Sequence, residues 1–218
     1  MRHVLYLHGF ASSARSTKAT FFGDRLARLG IPLLCPDFNE PDFENLTVTR
    51  MREQVERWIS TLAAGQVTLI GSSLGGFVAL HAAAAWHDAT RPIDGLVLLA
   101  PALDFGTSRM SELGADRLAR WKEADRLEVF HYAAGETRHV RYALYEDAGH
   151  YDSFSCPITT PTLIFQGRRD TSVDPAMVER FADGRSHVTL RMLDDDHQLL
   201  NSLEFMWRET ARFLGLNG

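Results

Sequence analysis

The sequence predicts an α/β fold: a doubly wound, mainly parallel sheet of about six strands covered by helices on both faces. Three observations predict it. Six short runs rich in Val, Leu and Ile recur along the chain. Most are apolar throughout rather than alternating, as strands buried on both faces are. The stretches between most of them are long enough for a helical crossover.

The first expected strand is 3–8 (HVLYLH), and the helix STKATFFGDRLARLG follows it. The second strand is 32–37 (PLLCPD). Over 44–64, Val48, Met51, Val55, Trp58, Ile59 and Leu62 recur at three- and four-residue spacing, which predicts an amphipathic helix with its Arg and Glu residues outward. The third strand, 67–72 (VTLIGS), runs into LGGFVALHAAAAW, a segment without charge that reads as a buried central helix holding His81 and His87. The fourth strand is 95–101 (GLVLLAP), the fifth 162–167 (TLIFQG) and the sixth 187–193 (HVTLRML). Between these last two lies the helical PAMVERFA. At the C-terminus, Asn201 with Glu204 fits a capping-box variant, Leu203, Met206, Trp207, Phe213 and Leu214 form an apolar side, and Gly215 is the stop.

Segment 103–160 breaks the alternation of strand and helix. It carries a charged helical pattern over 111–127 and then two aromatic-rich runs flanking AAGET, like a hairpin. A crossover is normally shorter, so 103–160 reads as a lid-like insertion over one edge of the sheet, within a single domain spanning 1–218. Its Trp121, Phe130, Tyr132, Tyr142, Tyr145 and Tyr151 suit either a pocket wall or packing of the insertion onto the domain.

Composition bounds the function. The chain has 218 residues, 45% hydrophobic and 23% charged, which suits one globular core. Its net charge of -5 offers no footprint for nucleic acid. The longest apolar runs fall short of the ~20 residues needed to span a bilayer, and the N-terminus reads as free of a secretion signal. Cys35 and Cys156 are too few for a disulfide scaffold or a metal cluster, so both read as reduced thiols of a cytoplasmic protein.

The strand VTLIGS ends in Gly71-Ser72-Ser73-Leu74-Gly75, a G-x-S-x-G pattern between strand and helix. In that context the pattern lifts a serine Oγ above the sheet on a strained turn, with glycines where side chains would not fit. A glycine-rich helix entry with a structural or capping serine is the blander alternative. A dinucleotide fingerprint fails because Ser73 stands where it needs glycine. A nucleophilic serine needs a base, and the base an orienting acid. Both come later in the chain. Asp170 and Asp174 follow the fifth strand; Asp174 precedes Pro175 and suits a helix N-cap, which leaves Asp170 as the orienting carboxylate. His197, after the last strand, is the expected base, while His187 begins a strand and His131, His139 and His150 lie in the insertion. Oxyanion donors are expected from the backbone N–H groups of Phe10, in LHGF, and Leu74. His8 is expected to brace its loop. Arg15 or Lys18, in ASSARSTK, could meet an anionic group of a substrate, or Ser16 or Thr17 could cap the helix with Arg15 exposed.

Together the order strand, HGF, GSSLGG, GxxDxxV and late His resembles the α/β-hydrolase superfamily over nearly the whole chain. The opening LYLHGFASSARSTKA and the GSSLGG block are similar to the small bacterial YqiA-type esterases, and more distantly to mammalian depalmitoylating hydrolases. The resemblance implies a reduced α/β-hydrolase fold and serine-dependent cleavage of carboxylic esters or acyl thioesters, with Ser73, Asp170 and His197 on the triad positions. The substrate expected is a small-molecule acyl ester or thioester, with no cofactor and no metal. An acyltransferase or peptidase using the same residues, or a noncatalytic binder on the same fold, are the alternatives.

Overall fold

A computed structural model describes residues 1–106 and 113–216. In chain order the elements are β1 (Arg2–Leu7), α1 (Thr17–Ala27), β2 (Leu33–Leu34), α2 (Val48–Thr61), β3 (Gln66–Ser72), α3 (Leu74–Ala85), β4 (Ile93–Leu99), α4 (Ala115–Ala124), β5 (Leu127–His131), β6 (Glu136–Val140), α5 (Ala143–Ala148), β7 (Thr162–Gly167), α6 (Pro175–Ala182), β8 (Val188–Leu193) and α7 (Leu203–Phe213). Six of the strands form a wholly parallel sheet in the order β2-β1-β3-β4-β7-β8. The chain runs from β1 outward to β2 and then back past β1 to β3. The carboxyl ends of β1 and β3 therefore flank a topological switch point, where ligands bind in open α/β sheets.

Burial follows the strand pattern. Every residue of β7 is buried, and so is every residue of β3 after Gln66. Edge strand β8 is mostly half-buried. One face packs Met51, Val55 and Ile59 of α2, Phe77 and Leu80 of α3 and Phe181 of α6 into a single core. The other face is covered by Phe22 and Leu26 of α1 and Met206 of α7. Helix α3 is buried from Leu74 through Ala82, matching its lack of charge.

Several boundaries differ from expectation. Strand β2 keeps only Leu33 and Leu34, because Pro36 has no N–H to extend the ladder at this edge. Helix α2 begins at Val48, where the Thr47 hydroxyl accepts from Arg50 N–H at 3.1 Å. His87 lies beyond the end of α3. The capping box before α7 does not form. The Asn201 amide and Ser202 hydroxyl instead donate to the buried Asp195 carboxylate at 3.2 and 2.8 Å, and Glu204 pairs with Arg25. Gly215 ends α7 with φ +64°.

Of the insertion, 103–106 and 113–160 are described; Ser111 and Glu112, where its expected helix starts, lie outside the described residues. Strands β5 and β6 form an antiparallel hairpin. The hairpin reaches the loops after β1 and β2: Ala133 N–H bonds the Ala11 carbonyl at 3.4 Å, and the His131 ring meets Asn39 Oδ1 at 2.9 Å. It thus sits over the carboxyl ends of these strands, where the site lies, rather than along an edge strand. Trp121 is buried against Tyr142 and Tyr145 and donates to the Val140 carbonyl at 3.0 Å, while Tyr151 packs on Phe77 and His81. Those aromatics hold the insertion onto the domain; Phe130 and Tyr132 at the hairpin end are exposed.

Candidate active site

The turn from β3 into α3 puts Ser73 at φ 52° and ψ -117°, a left-handed conformation that side chains other than glycine rarely adopt. Its cause is visible in the neighbours. A Cβ at Gly75 would stand 2.0 Å from the Leu7 carbonyl oxygen, and one at Gly71 would stand 2.4 Å from that of Gly75. At Gly75 the turn passes this close to β1, and at Gly71 it folds this close onto the start of α3, so both flanking positions lack side chains.

Ser73, His197 and Asp170 form one hydrogen-bonded row. His197 Nε2 lies 3.2 Å from Ser73 Oγ, and His197 Nδ1 lies 2.8 Å from Asp170 Oδ2. The carboxylate is fixed from both sides: Ser172 and Val173 N–H donate to Oδ1 at 2.7 and 2.8 Å, and Gln166 Nε2 donates to Oδ2 at 2.9 Å. Burial pushes the Asp170 carboxyl up, yet the hydrogen bonds from His197, Val173 and Gln166 outweigh it and hold the group below the ordinary carboxylate value. Asp170 is thus an anion facing the imidazole. With Nδ1–H donating to it, Nε2 is left free to accept from the serine hydroxyl.

Nearby acids and histidines have other work. Asp174 caps α6, accepting from Ala176 N–H at 2.9 Å. Arg169 pairs with Asp194 rather than with Asp170. His81 is buried beside Ser153, and His139 meets Glu44. His8 braces its loop, with Nδ1 2.9 Å from the Gly9 carbonyl and Nε2 2.9 Å from Phe38 N–H.

Two backbone donors flank the serine. A Cβ at Gly9 would come within 3.3 Å of Ser73 Cβ, so the Gly9-Phe10 loop lies against the Ser73 turn. Among the described residues neither Phe10 N–H nor Leu74 N–H has an acceptor. Ser73 and His197 open into a cleft of about 890 Å³ whose wall includes Tyr132 and Ala133 of the hairpin turn. Among the described residues no cluster of His, Cys, Asp or Glu has the makings of a metal site. No described helix is long and apolar enough to cross a membrane. Cys35 and Cys156 are free, and burial raises both thiols, Cys35 to about 11.

Sequence reasoning missed two supports. Gln166 was signalled by an amide side chain at the end of the apolar run LIF of β7. Lys18, whose Nζ donates to the Gln198 carbonyl at 3.0 Å, was not legible as a brace for the histidine loop.

Comparison with known proteins agrees with this architecture. The chain is 27% identical over 215 residues to the Bos taurus palmitoyl-protein thioesterase ABHD10, mitochondrial, covering 90% of this chain and 67% of that protein. The Homo sapiens protein of the same name is 27% identical over 183 residues, 78% of this chain and 57% of its own length. The chain thus spans roughly three-fifths of these curated relatives. Among solved structures, a protein from Agrobacterium vitis S4 matches with TM-score 0.86 and 26% identity over 97% of this chain and 87% of its own. Mouse alpha/beta hydrolase domain-containing protein 10 matches with TM-score 0.79 and 21% identity over 99% and 90%. A model of an uncharacterised protein family, UPF0227, matches residues 3–213. With nearly its whole length inside that model and its sheet superposing on these neighbours, the chain belongs to UPF0227 and has the α/β-hydrolase fold.

Proposed function

We propose that this protein is a serine hydrolase that cleaves carboxylic esters or acyl thioesters of small molecules through an acyl-enzyme intermediate. The observation that carries this reading is the row Asp170, His197, Ser73, with contacts of 2.8 and 3.2 Å, built on a strained turn. The thioesterase names of the bovine and human relatives support it. So does a solved neighbour titled as Est1E of Butyrivibrio proteoclasticus with ferulic acid bound, TM-score 0.83 at 20% identity over 98% of this chain and 88% of that one.

In the first half-reaction His197 Nε2 takes the Ser73 proton as Oγ attacks the substrate carbonyl, and Asp170 stabilises the imidazolium through Nδ1–H. Phe10 and Leu74 N–H receive the oxyanion of the tetrahedral intermediate. On collapse the proton passes from His197 to the departing alkoxide or thiolate oxygen or sulfur. Water, deprotonated by the same imidazole, then attacks the acyl-serine carbonyl; as the acyl–Oγ bond breaks, His197 returns the proton to Ser73 Oγ and the acid is released.

Intact-mass analysis with a fluorophosphonate probe tests the reading. One adduct should form on Ser73, and Ser73→Ala should neither label nor hydrolyse acyl 4-nitrophenyl esters. A Ser73→Ala protein as active as wild type overturns it.

A further inference from the structure

The cleft that holds Ser73 and His197 has a second wall, and its chemistry is one-sided. Arg15 and Lys18 line it and no Asp or Glu does, in a chain with 28 acids and a net charge of -5. The N-terminus of α1 opens on the same wall. The Ser16 hydroxyl accepts from Ala19 N–H at 3.3 Å, while the N–H groups of Thr17 and Lys18 have no acceptor among the described residues. The first turn of α1 carries no acid to answer its positive end.

Two side chains complete the corner. Tyr6 is fully buried, yet it lines the cleft; its hydroxyl lies beside those of Ser16 and Ser72, two further lining residues, without a hydrogen-bond partner of ordinary geometry. Burial raises its ionisation well above the usual tyrosine range, so it stays a donor. The Arg15 guanidinium is exposed on the cleft and makes no hydrogen bond or ion pair among the described residues. Lys18 is already engaged by the Gln198 carbonyl and faces the charges of Asp170, Asp195 and Asp196. Arg15 is therefore the cation left to meet a ligand. A free guanidinium, free helix N–H groups and a buried O–H thus belong to residues that line one cleft, and all of them donate.

We propose that this corner is an anion-binding subsite that seats a carboxylate or phosphate carried by the ester or thioester substrate. The proposal rests on the hydrolase reading above and names its substrate class: acyl esters or thioesters with a fixed negative charge on the acyl or the leaving side.

The test compares matched pairs of substrates. For carboxylate, dicarboxylic half-acid 4-nitrophenyl esters are set against fatty-acid esters of equal chain length, and 4-acetoxybenzoate against phenyl acetate. For phosphate, acyl coenzyme A is set against the acyl N-acetylcysteamine thioester. The wild type should prefer the charged member of at least one pair by roughly tenfold in kcat/KM, as a charge-assisted contact implies. Which pair shows the preference tells carboxylate from phosphate. Arg15→Gln should lower that ratio by about fivefold or more, Arg15→Lys should keep most of it, and added salt should erode it. Any effect on both members cancels in the ratio. Hydrolysis of every pair at equal rates, or a ratio that Arg15→Gln leaves unchanged, overturns the subsite alone. Hydrolysis of no substrate overturns the hydrolase reading beneath it.

Discussion

Lys18 Nζ donates to the Gln198 carbonyl at 3.0 Å, tying the start of α1 to the residue after His197. The ammonium is buried, and burial pushes it down to about 8 against the pull of Asp170, Asp196 and Asp195. Its unfolded value is near 10.5, so between about 8 and 10.5 the unfolded chain binds the proton and the folded one releases it. Stability from this group therefore rises with pH across that window, by up to roughly 1.4 kcal/mol per unit. Urea unfolding of wild type and Lys18→Met at a series of pH values reads the effect. The difference between them should move in favour of wild type as pH climbs through the window, and a flat difference would show that the charge is not confined by burial.

Gln166 separates activity from stability. Its Nε2 holds Asp170 Oδ2 at 2.9 Å, but its buried Oε1 has no partner. Gln166→Leu removes that bond, a longer one of 3.3 Å to the Gly167 carbonyl, and the orphaned acceptor together, so the unfolding free energy should change by no more than about 1 kcal/mol. Asp170 loses a restraint and His197 loses its fixed orientation. In the hydrolase reading kcat should fall roughly tenfold with KM nearly constant, and fluorophosphonate labelling of Ser73 should slow in parallel. Unchanged kcat would mean that the backbone N–H groups of Ser172 and Val173 suffice.

Gly75→Ala tests the close approach of the Ser73 turn to β1. The added methyl would sit 2.0 Å from the Leu7 carbonyl oxygen and 2.7 Å from that of His8, both backbone atoms of a buried strand end. No side-chain rotation relieves such a clash, so a loss of at least 3 kcal/mol is expected, on the order of the largest overpacking penalties. Thermal or urea unfolding measures it. A loss below about 1 kcal/mol would show that the turn can retreat from the sheet.

How far each feature was legible depends on whether its cause was local. The six strands stand out as apolar runs because their burial is written into consecutive residues, and the turn at Ser73 shows in its two glycines. Ser73, Asp170 and His197 could be read as neighbours because each lies in the turn or loop that follows a strand, and parallel strands bring such ends together. Contacts between distant segments left no such trace. Lys18 meets Gln198 across 180 positions, and His131 meets Asn39 across 92. Asn201 and Glu204 misled as a capping box because their partners, Asp195 and Arg25, lie outside the helix that the pattern describes. The hairpin's position followed from pairings with Ala11 and Asn39 that no periodicity encodes.

His81 offers a test at the acid end. It lies on α3 between Phe77 and Tyr151, at ring separations of 4.5 and 5.1 Å, and its one hydrogen-bond contact among the described residues is a long 3.4 Å to Ser153 Oγ. Burial lowers its pKa from 6.5 to about 4; Asp152 pulls it up and Arg52 pushes it further down. The folded state resists the proton that the unfolded chain accepts. Below 6.5 the unfolded state therefore binds more protons, and stability falls as the pH drops toward 4, by an amount on the order of 2 to 3 kcal/mol. His81→Leu keeps the apolar volume and removes the titrating group, so its acid limb should be flatter than that of wild type. Unfolding free energies at pH values from 7 to about 4 decide the matter. Parallel curves for the two proteins would show that the imidazole reaches water without cost, and a steeper curve for the leucine variant would reverse the sign of the linkage.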